Sequence, residues 1–432
     1  MRILVLGSGA REHALAWKLG AEPAVTSVVC APGNAGIARS IETVPVDPLN
    51  GDAVLTLIKD KSVDLTVIGA EAPLARGLAD RLAAEGRRVF GPTQAAAQLE
   101  TSKAFAKDFM RRHNVPTARY RVCSTSDEAT AAIRSGEFGD SLVVKADGLA
   151  AGKGVVVADD RSSAEHAVRS AMLDRTFGDA GSRIVLEERL SGPEVSFFVI
   201  ADGETYVPLL SAQDHKRVFD DDEGPNTGGM GAFAPSPLIT LGRQQQIEQT
   251  IVGPVLDGMA KEGTPFRGCL YCGLMLTSDG PKVIEFNVRF GDPEAQAVLP
   301  ILDRPLGRLL WGAADGRLTN ETLNHQHQRA AVGVVLAARG YPGELQTGDP
   351  IAGLERIERE CPEALVFFSG VAVRDGRLIT TAGRVMTIVS CGPTHEQAMR
   401  GAYEAASRVH FDGMHYRRDI GRKVLQTDGH VW

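Results

Sequence analysis

The stretch Lys145-Ala-Asp-Gly-Leu-Ala-Ala-Gly152-Lys153-Gly154-Val155 decides the fold of this chain. A lysine ends one predicted strand, 142–145, and a glycine-rich turn leads into the next, 155–157. No Ser or Thr follows Lys153 and no helix is predicted to begin there, so the stretch is not a Walker loop. Because glycines carry no Cβ, backbone N–H groups in such a hairpin can approach phosphate oxygens closely. The pattern predicts a flap over phosphates, with Lys145 neutralising their charge. A solvated surface hairpin is the alternative.

A second predicted strand, 282–287, continues into Val-Arg289-Phe-Gly-Asp292. Alternation along an extended chain places Glu285, Asn287 and Arg289 on one face. Carboxylate and amide oxygens suit a Mg²⁺ ion that bridges phosphates, and a guanidinium suits the phosphoryl group being transferred. Two protein ligands are enough, because Mg²⁺ completes its shell with phosphate oxygens and water. The alternative, a solvated edge strand, fits poorly with the apolar neighbours of Glu285.

The segment Glu187-Glu-Arg-Leu190-Ser-Gly-Pro-Glu194 follows a predicted strand, 184–186. A nucleotide needs a hinge that offers backbone groups to its base and a carboxylate for its ribose hydroxyls. The separation of Glu187 and Glu194 suits that task. Charged strand ends are also often merely solvated, so this motif by itself decides nothing.

A basic cluster, Asp214-His215-Lys216-Arg217, precedes the glycine-rich segment Asn226-Thr-Gly-Gly-Met-Gly231. Such a pair suits a small anionic substrate. His215 could be a general base or a metal ligand, but no other histidine lies at ligand spacing, so a polar contact is expected. The intervening span, 220–237, is rich in Asp, Gly and Pro and is predicted to be a long functional loop.

The amino-terminal strand, 3–6, ends in Gly7-Ser-Gly9 and is followed by a predicted helix. A strand, a glycine turn and a helix N-terminus together form an anion site. A nicotinamide-dinucleotide fold would place an acidic residue at the end of the second strand. That position reads Cys30-Ala-Pro-Gly-Asn34-Ala-Gly36, which has no carboxylate and weakens the nicotinamide hypothesis. A purely structural tight turn is the other alternative.

The composition narrows the class of protein. The chain has 432 residues, 43% of them hydrophobic, and a net charge of −7. That length predicts several domains. No domain has the basic excess that is typical of nucleic-acid binding. No leader pattern is visible, and no apolar run approaches the roughly 20 residues that span a bilayer. Six scattered cysteines favour free thiols and a cytoplasmic setting. The expected protein binds neither nucleic acid nor membrane.

The order of predicted elements divides the chain into three domains. Alternating strands and helices in 1–100 predict a parallel sheet, including one helical face on which Leu74, Leu78 and Leu82 recur every four residues. A helix is predicted from about 94 to 113. A compact piece spans about 118–190 within a second domain, 101–325. A β-rich domain, 326–432, completes the chain.

Eight motifs resemble those of the glycinamide ribonucleotide synthetase family of the ATP-grasp superfamily, and they occur in the order expected for that family. They are GSGAREHA (7–14), PGNAG (32–36), GAEAP (69–73), SKAFAK (102–107), VKADGLAAGKG (144–154), AQDHKR (212–217), PNTGGMG (225–231) and EFNVRFGDPE (285–294). The segment HYRRDIG (415–421) also fits, so the resemblance covers nearly the whole chain. It implies a multidomain α/β and α+β fold. The parts would be an N-terminal Rossmann-like pre-ATP-grasp domain, an ATP-grasp domain with a mobile lid and a β-rich C-terminal domain.

The reaction implied by the resemblance joins glycine to 5-phosphoribosylamine with ATP, through glycyl phosphate, as the second step of purine biosynthesis. The resemblance assigns catalysis to Arg289 and Lys145, and the metal, Mg²⁺ or Mn²⁺, to Glu285 and Asn287. The ATP-binding residues would be Lys103, Lys145, Gly152, Lys153, Gly154, Glu187, Leu190 and Glu194. The substrate-binding residues would be Gly9, Asn34, Gly36, Glu71, Pro73, Asp214, His215, Lys216 and Arg289.

Two departures from the family pattern are small. Ala10 stands where the family often has a third glycine, and the segment 381–384 is less glycine-rich, which leaves Arg384 as a candidate phosphate contact only.

The competing hypotheses are a sister ATP-grasp ligase or carboxylase and a nucleotide-sensing protein without chemistry. The expected oligomeric state is a monomer or a weak homodimer.

Overall fold

The N-terminal domain is built on a parallel sheet. The computed structural model describes residues 1–150, 154–319 and 329–426. Arg2–Gly7 lies at the centre of the sheet, between Ser27–Pro32 and Leu65–Ile68, with Glu42–Thr43 and Val89–Phe90 at the edges. Ile3 and Val5 pack into one hydrophobic cluster and Leu4 and Leu6 into another, so both faces of the central strand are covered, as parallel sheets require. The helices of this domain are Ala10–Gly20, Gly51–Asp60, Glu71–Ala75 and Leu78–Ala84, with a 3₁₀ turn at Ile37–Arg39.

Two predicted helices are interrupted in the structure. The leucine face at 74, 78 and 82 is buried throughout, but Gly77 has a φ of +73° and separates two short helices. The predicted helix 94–113 divides into Gln98–Thr101 and Lys103–Arg112. Ser102 is extended at the break, and its hydroxyl accepts a hydrogen bond from the backbone N–H of Phe105. Cap chemistry therefore overrides the continuous periodicity.

The central domain contains an antiparallel sheet. Its strands, in spatial order, are Tyr206–Pro208, Glu194–Asp202, Arg267–Thr277 and Gly280–Asn287. A bulge in the last pair makes Glu285 oppose Gly273 while Val283 opposes Leu274. The helices around this sheet are Leu241–Ile247, Gly253–Lys261, Glu294–Val298 and Leu306–Asp315, with a π turn at Glu248–Val252 and a 3₁₀ turn at Leu299–Ile301.

The lid is a separate four-stranded sheet with its own hydrophobic core. Its strands, in order, are Tyr120–Cys123, Ile184–Glu188, Leu142–Ala146 and Val155–Ala158. The helices Ser126–Ser135 and Arg161–Met172 cover one face, followed by a 3₁₀ turn at Gly178–Gly181. The strands and helices of the lid run from Tyr120–Cys123 to Ile184–Glu188 and include both strands of the predicted flap hairpin. The predicted ATP-binding residues Gly152 and Lys153 lie outside the described residues.

The C-terminal sheet takes strands from two parts of the chain. Its order is Gln213–Asp214, Gly231–Ala234, Ala330–Ala337, Arg384–Gly392 and Leu365–Phe368. Two hairpins flank it, Arg217–Phe219 with Glu223–Asn226 and Val371–Arg374 with Arg377–Thr380, and the helices are Leu354–Glu360, His395–Ala406 and Arg422–Gln426. The prediction of one long loop at 220–237 is wrong, because a 3₁₀ turn and two strands lie there.

Candidate functional site

A cleft of about 730 Å³ lies where the lid, the central sheet and the two flanking domains meet. We call it the central cleft. Many residues predicted to bind nucleotide, metal or substrate line it together: Glu71, Lys103, Lys145, Gly154, Glu187, Leu190, Glu194, Asp214, Lys216, Glu285, Asn287 and Arg289. Because Arg384 and Lys423 also line it, residues from all three predicted domains share one cavity.

The strand Gly280–Asn287 forms the floor of the central cleft. Phe286 and Val288 are buried, while Glu285 and Asn287 face the cavity. Burial would raise the pKa of Glu285, but Lys216, Lys145 and Lys103 outweigh it and hold that pKa below its usual range. Glu285 is therefore an ionised oxygen donor.

The lid contributes Lys145 to the same cavity. Its Nζ donates to the carbonyl oxygen of Ile284 at 2.9 Å, and the Oε1 of Glu187 lies 2.9 Å from the same nitrogen. Ile284 immediately precedes Glu285 on the floor strand, so the end of the flap hairpin and the acidic strand touch. A lysine has three N–H bonds, so Lys145 keeps donor capacity for a ligand beyond its hydrogen bond to Ile284.

Lys103 lies at the N-terminus of a helix beneath the flap. Its backbone N–H donates to the carbonyl oxygen of Asp147 at 3.1 Å, and its Nζ donates to the carbonyl oxygen of Gly148 at 3.4 Å. Burial lowers the pKa of Lys103, with Glu285 opposing and Lys145 adding to the decrease. These contacts tie the flap to the helix that carries the second phosphate-binding candidate.

One end of the central cleft is apolar. Residues from the lid, the floor strand, the neighbouring strand Arg267–Thr277 and the Lys103–Arg112 helix line it, with Glu187, Leu190 and Glu194 at its edge. The apolar residues are Val143, Val155, Val157, Ala106, Met110, Met275 and Phe286. A flat, mostly apolar slot with polar groups at its rim suits a nucleotide base.

Arg289 is held by carboxylates at the opposite end. Its Nη2 lies 3.0 Å from the Oε1 of Glu100, and its Nε lies 3.6 Å from the Oε2 of Glu71. It also donates to the Oδ1 of Asn287 at 3.1 Å. Burial would lower the pKa of Arg289, but Glu100 and Glu71 outweigh it and raise that pKa. The guanidinium is therefore a fixed positive charge.

The wall facing the floor strand carries Asp214 and Lys216. The Nζ of Lys216 donates to the Oε2 of Glu194 at 2.7 Å and lies 4.0 Å from the Oε1 of Glu285. Burial raises the pKa of Asp214 to about 7, although Lys216 opposes this increase. Asp214 is thus a carboxylate that can exchange a proton near neutrality.

Five predicted substrate residues do not line the cavity, and Asn34, Gly36 and Pro73 are three of them. Asn34 uses its side chain for four backbone hydrogen bonds: its Nδ2 donates to the carbonyl oxygens of Ser8 (2.8 Å) and Phe368 (3.0 Å), and its Oδ1 accepts from Gly36 (2.8 Å) and Ile37 (2.9 Å). A Cβ on Gly36 would lie 2.1 Å from the Cγ of Phe368. Pro73 is buried inside the helix Glu71–Ala75.

Gly9 and His215 lie beside the central cleft without lining it. Gly9 donates its backbone N–H to the Oε2 of Glu12 at 2.7 Å, and a Cβ on Gly9 would lie 3.7 Å from the cleft residue Asp292. His215 is 1% exposed, and its ring centroid lies 6.0 Å from that of Phe233. Burial lowers the pKa of His215 to about 4, so the imidazole is neutral at physiological pH.

Several cleft residues had no assigned role in the sequence. Glu100 and Lys107 have no distinguishing local pattern, although Lys107 lies within the SKAFAK motif. Arg11, in the GSGAREHA motif, lines the cleft and lies 3.8 Å from Glu71. The candidate phosphate contact Arg384 also lines the cleft, where it pairs with Asp292 at 3.2 Å and donates to the carbonyl oxygen of Gly228 at 2.6 Å.

The donor chemistry around Glu285 fits a hard divalent cation. Glu285 and Asn287 present oxygen atoms on one strand face, which is the ligand type that Mg²⁺ and Mn²⁺ prefer. Within 1–150, 154–319 and 329–426, no three His, Cys, Asp or Glu side chains could together hold a metal. An ion at Glu285 would therefore need phosphate oxygens or water to complete its shell.

Comparison with known proteins gives consistent matches along the chain. The family models for phosphoribosylglycinamide synthetase match as an N domain (1–100), an ATP-grasp (A) domain (101–295) and a C domain (331–423). A phosphoribosylamine–glycine ligase of Vibrio parahaemolyticus is 46% identical over 431 residues, covering 99% of each chain. That of Escherichia coli is 46% identical over 432 residues, covering 99% of this chain and 100% of its own.

Solved structures agree with these matches. The crystal structure of a phosphoribosylamine–glycine ligase from Thermotoga maritima superposes with a TM-score of 0.84 at 37% identity, covering 97% of this chain and 100% of that one. A biotin carboxylase from Campylobacter jejuni superposes with a TM-score of 0.72 at 14% identity, covering 99% of this chain and 95% of that one. The second match shows the fold alone. Among the described residues, none of the helices combines the length and apolarity needed to cross a bilayer.

Proposed function

Because this chain belongs to the phosphoribosylglycinamide synthetase family, we propose that its central cleft is the site where glycine and 5-phosphoribosylamine are joined. The chain is an ATP-dependent ligase of purine biosynthesis that produces glycinamide ribonucleotide, ADP and phosphate. One observation carries the assignment of residues: Lys145 of the lid donates to the carbonyl oxygen of Ile284, next to Glu285. The flap and the acidic strand can therefore act on the same nucleotide.

The base of ATP occupies the apolar end of the central cleft in this proposal. Glu187 and Leu190 lie at the rim of that slot, and Glu194 is available to the ribose hydroxyls. The triphosphate then runs towards Lys103 and Lys145, whose charges offset those of the phosphates. Gly154, which lines the cleft, supplies the close backbone approach over the phosphates.

Glycine is activated as an acyl phosphate. A free carboxylate is a poor electrophile, so one carboxylate oxygen of glycine attacks the γ-phosphorus and the bond from that phosphorus to ADP breaks. The amine nitrogen of phosphoribosylamine then attacks the acyl carbon, and the bond between that carbon and the phosphate oxygen breaks. The amine loses a proton, inorganic phosphate leaves, and no covalent enzyme intermediate is needed.

Glu285 and Asn287 would hold Mg²⁺ or Mn²⁺, which would neutralise charge on the phosphate oxygens. This role requires an ionised carboxylate, and the lowered pKa of Glu285 keeps it ionised. Asn287 keeps acceptor capacity beyond its contact with Arg289, because an amide oxygen has two lone pairs.

Arg289 stabilises the phosphoryl group during transfer. Glu100 and Glu71 already fix the guanidinium in place, so little reorganisation is needed when charge moves in the transition state. Asp214 accepts the proton that the attacking amine loses, because its pKa of about 7 suits a general base near neutrality. Lys216 lies beside these groups and offsets the charge of the carboxylates.

Glu71 completes the substrate end of the cleft in this proposal, whereas Gly9, Asn34, Gly36, Pro73 and His215 do not line it. The lid protects the acyl phosphate, since such intermediates hydrolyse in water. We further propose that the protein works in the cytoplasm as a monomer or a weak homodimer. Its six cysteines are free, which suits a reducing compartment.

The decisive experiment is a phosphate-release assay that contains ATP, Mg²⁺, glycine and phosphoribosylamine, with each omitted in turn. We expect phosphate release only with the complete mixture, together with formation of glycinamide ribonucleotide. Bicarbonate-dependent release without glycine would replace this proposal with a carboxylase. ATP binding without turnover in the complete mixture would indicate a nucleotide-sensing protein.

A further inference from the structure

Lys107 is a buried cation that the reaction described above does not use. It is 2% exposed and lies four residues after Lys103 on the helix Lys103–Arg112. Residues four apart share one helix face and are separated by about 6 Å along the axis. Both lysines line the central cleft. Since Lys103 lies beneath the flap, Lys107 lies one helical turn further towards the apolar end.

Two hydrogen-bonding groups hold the ammonium group of Lys107. Its Nζ lies 2.9 Å from the Oε2 of Glu187 and donates to the Oγ1 of Thr117 at 2.7 Å. Thr117 donates in turn to the carbonyl oxygen of Val283 on the floor strand at 2.7 Å. Lys107 therefore links a lid carboxylate to the central sheet.

The Glu187 carboxylate lies between two lysines. Its Oε2 faces Lys107 and its Oε1 faces Lys145, each at 2.9 Å. Although Oε1 forms an ion pair with Lys145, within the described part of the chain this buried oxygen accepts no hydrogen bond. A buried acceptor without a donor is costly, so Oε1 has capacity for a donor from a bound ligand.

Removal of Lys107 would change what Glu187 does. With one cation left, the whole attraction of the carboxylate would fall on Lys145. That attraction would draw the ammonium group of Lys145 away from the phosphates. It would also turn Oε1 away from the slot that takes the base. Lys107, the partner of Oε2, therefore sets the positions of the Lys145 ammonium group and of Glu187 Oε1.

We propose that Lys107 is a positioning residue for ATP, which holds Glu187 so that Oε1 receives the base while Lys145 remains available to the phosphates. The proposal rests on the assignment of the apolar slot to the ATP base. It adds Lys107 to the residues that affect ATP binding, although Lys107 need not contact the phosphates. The contribution of Lys107 is to affinity for nucleotide, not to affinity for glycine or the amine.

The charge of Lys107 makes the effect dependent on pH. Burial lowers its pKa to about 8, although Glu187 opposes the decrease. The titratable and charged groups around it, from the lid and from its own helix, are Glu187, Glu188, Lys145, Tyr120 and Lys103. Below pH 8 the ammonium form holds Glu187, and above pH 8 that hold is lost. An arginine at this position stays charged throughout this range.

The test measures the dissociation constant of ATP with Mg²⁺ by calorimetry, without glycine or amine. We expect Lys107→Met to raise the ATP dissociation constant about tenfold at pH 7. The KM for glycine should change less than twofold. Lys261→Met removes an exposed lysine of the same domain and should leave ATP binding unchanged. Equal ATP affinity for the wild type and Lys107→Met would overturn the proposal.

A second measurement separates positioning from a purely structural role. Between pH 7 and 9.5 the wild-type ATP dissociation constant should rise, whereas that of Lys107→Arg should rise less, because the guanidinium keeps its proton. Parallel pH profiles for the two proteins would overturn the proposal, and this comparison remains available if Lys107→Met does not fold.

A double-mutant cycle identifies the partner. Once Glu187→Gln is present, Lys107→Met should cost less than threefold in ATP affinity, because the carboxylate to be held is gone. An undiminished tenfold loss would overturn the role of Glu187. If the wild type itself bound no ATP, the proposed function would fail. If the wild type bound ATP and the Lys107 variants bound it equally well, the proposed function would stand and only the inference about Lys107 would fail.

Discussion

Two glycine-containing turns follow strands in this chain, and they have different surroundings. The turn after Ser27–Pro32 carries Asn34 and Gly36, and the turn after Leu142–Ala146 leads to Gly154. The sequence predicted that both would face ligands. The lid turn lies at the central cleft, with a free donor on Lys145. The first turn instead holds the backbone of Phe368 from the C-terminal domain.

The difference lies in the remaining hydrogen-bonding capacity of each side chain. The amide of Asn34 can donate two hydrogen bonds and accept two, and the protein already supplies all four. Lys145 keeps donor capacity beyond its hydrogen bond to the carbonyl oxygen of Ile284. A polar residue in a glycine turn is therefore a candidate for ligand binding only where its neighbours leave a donor or acceptor unused. The contacts of Asn34 favour a role in holding two domains together.

The largest expected effect is at the floor of the central cleft. Glu285→Gln keeps the size of the side chain but removes the charge that would hold the metal, so kcat should fall about 10³-fold. Thermal unfolding should remain within a few degrees of the wild type. Glu355→Gln, at an exposed position, is the matched control. Near-normal turnover of Glu285→Gln would remove the assignment of the metal to this strand.

The next effect concerns stability at the first turn. Gly36→Ala introduces a Cβ that would overlap Phe368, and we expect a loss of about 3 kcal/mol in the free energy of unfolding. Urea denaturation measures this loss. Gly242→Ala places a Cβ where no atom lies within 4 Å, and it should be close to neutral. If Gly36→Ala kept full stability, the packing of this turn against Phe368 would be disproved.

Asn34→Ala sharpens the comparison, because it removes the side chain while leaving the turn uncrowded. The backbone groups of Ser8, Gly36, Ile37 and Phe368 lose their partners, so we expect a loss of about 2 kcal/mol in stability. At a temperature where the variant is folded, its KM for phosphoribosylamine should match the wild type. A large rise in that KM without loss of stability would return Asn34 to the substrate site.

The smallest expected effect is at Lys103 in the phosphate region. Lys103→Met removes one of two lysine charges near the flap, and we expect the KM for ATP to rise about tenfold. The free energy of unfolding should change little, because burial lowers the pKa of this lysine and shows that its charge is costly in the folded protein. An unchanged KM would assign the phosphates to Lys145 alone.

Much of the site could be predicted from the sequence, because its functional residues recur at the spacing that a strand imposes on side chains of one face. Alternation in a strand predicted Glu285 and Asn287 on one face, and both line the cavity. The span 220–237 was not predictable in the same way. Its Asp, Gly and Pro residues disfavour strands, but Gly231–Ala234 is stabilised by pairing with Ala330–Ala337, about a hundred residues later.

The amino-acid sequence by itself determined the strand alternation, the flap and the family of this protein, because these depend on residue types at short spacings. Only the tertiary structure decided that Glu100 holds Arg289, that Lys107 holds Glu187 and that Asn34 holds Phe368. These contacts join residues from different elements, and local spacing carries no information about them. The physical reason is that the use of a polar side chain depends on which partners the fold brings within hydrogen-bonding distance.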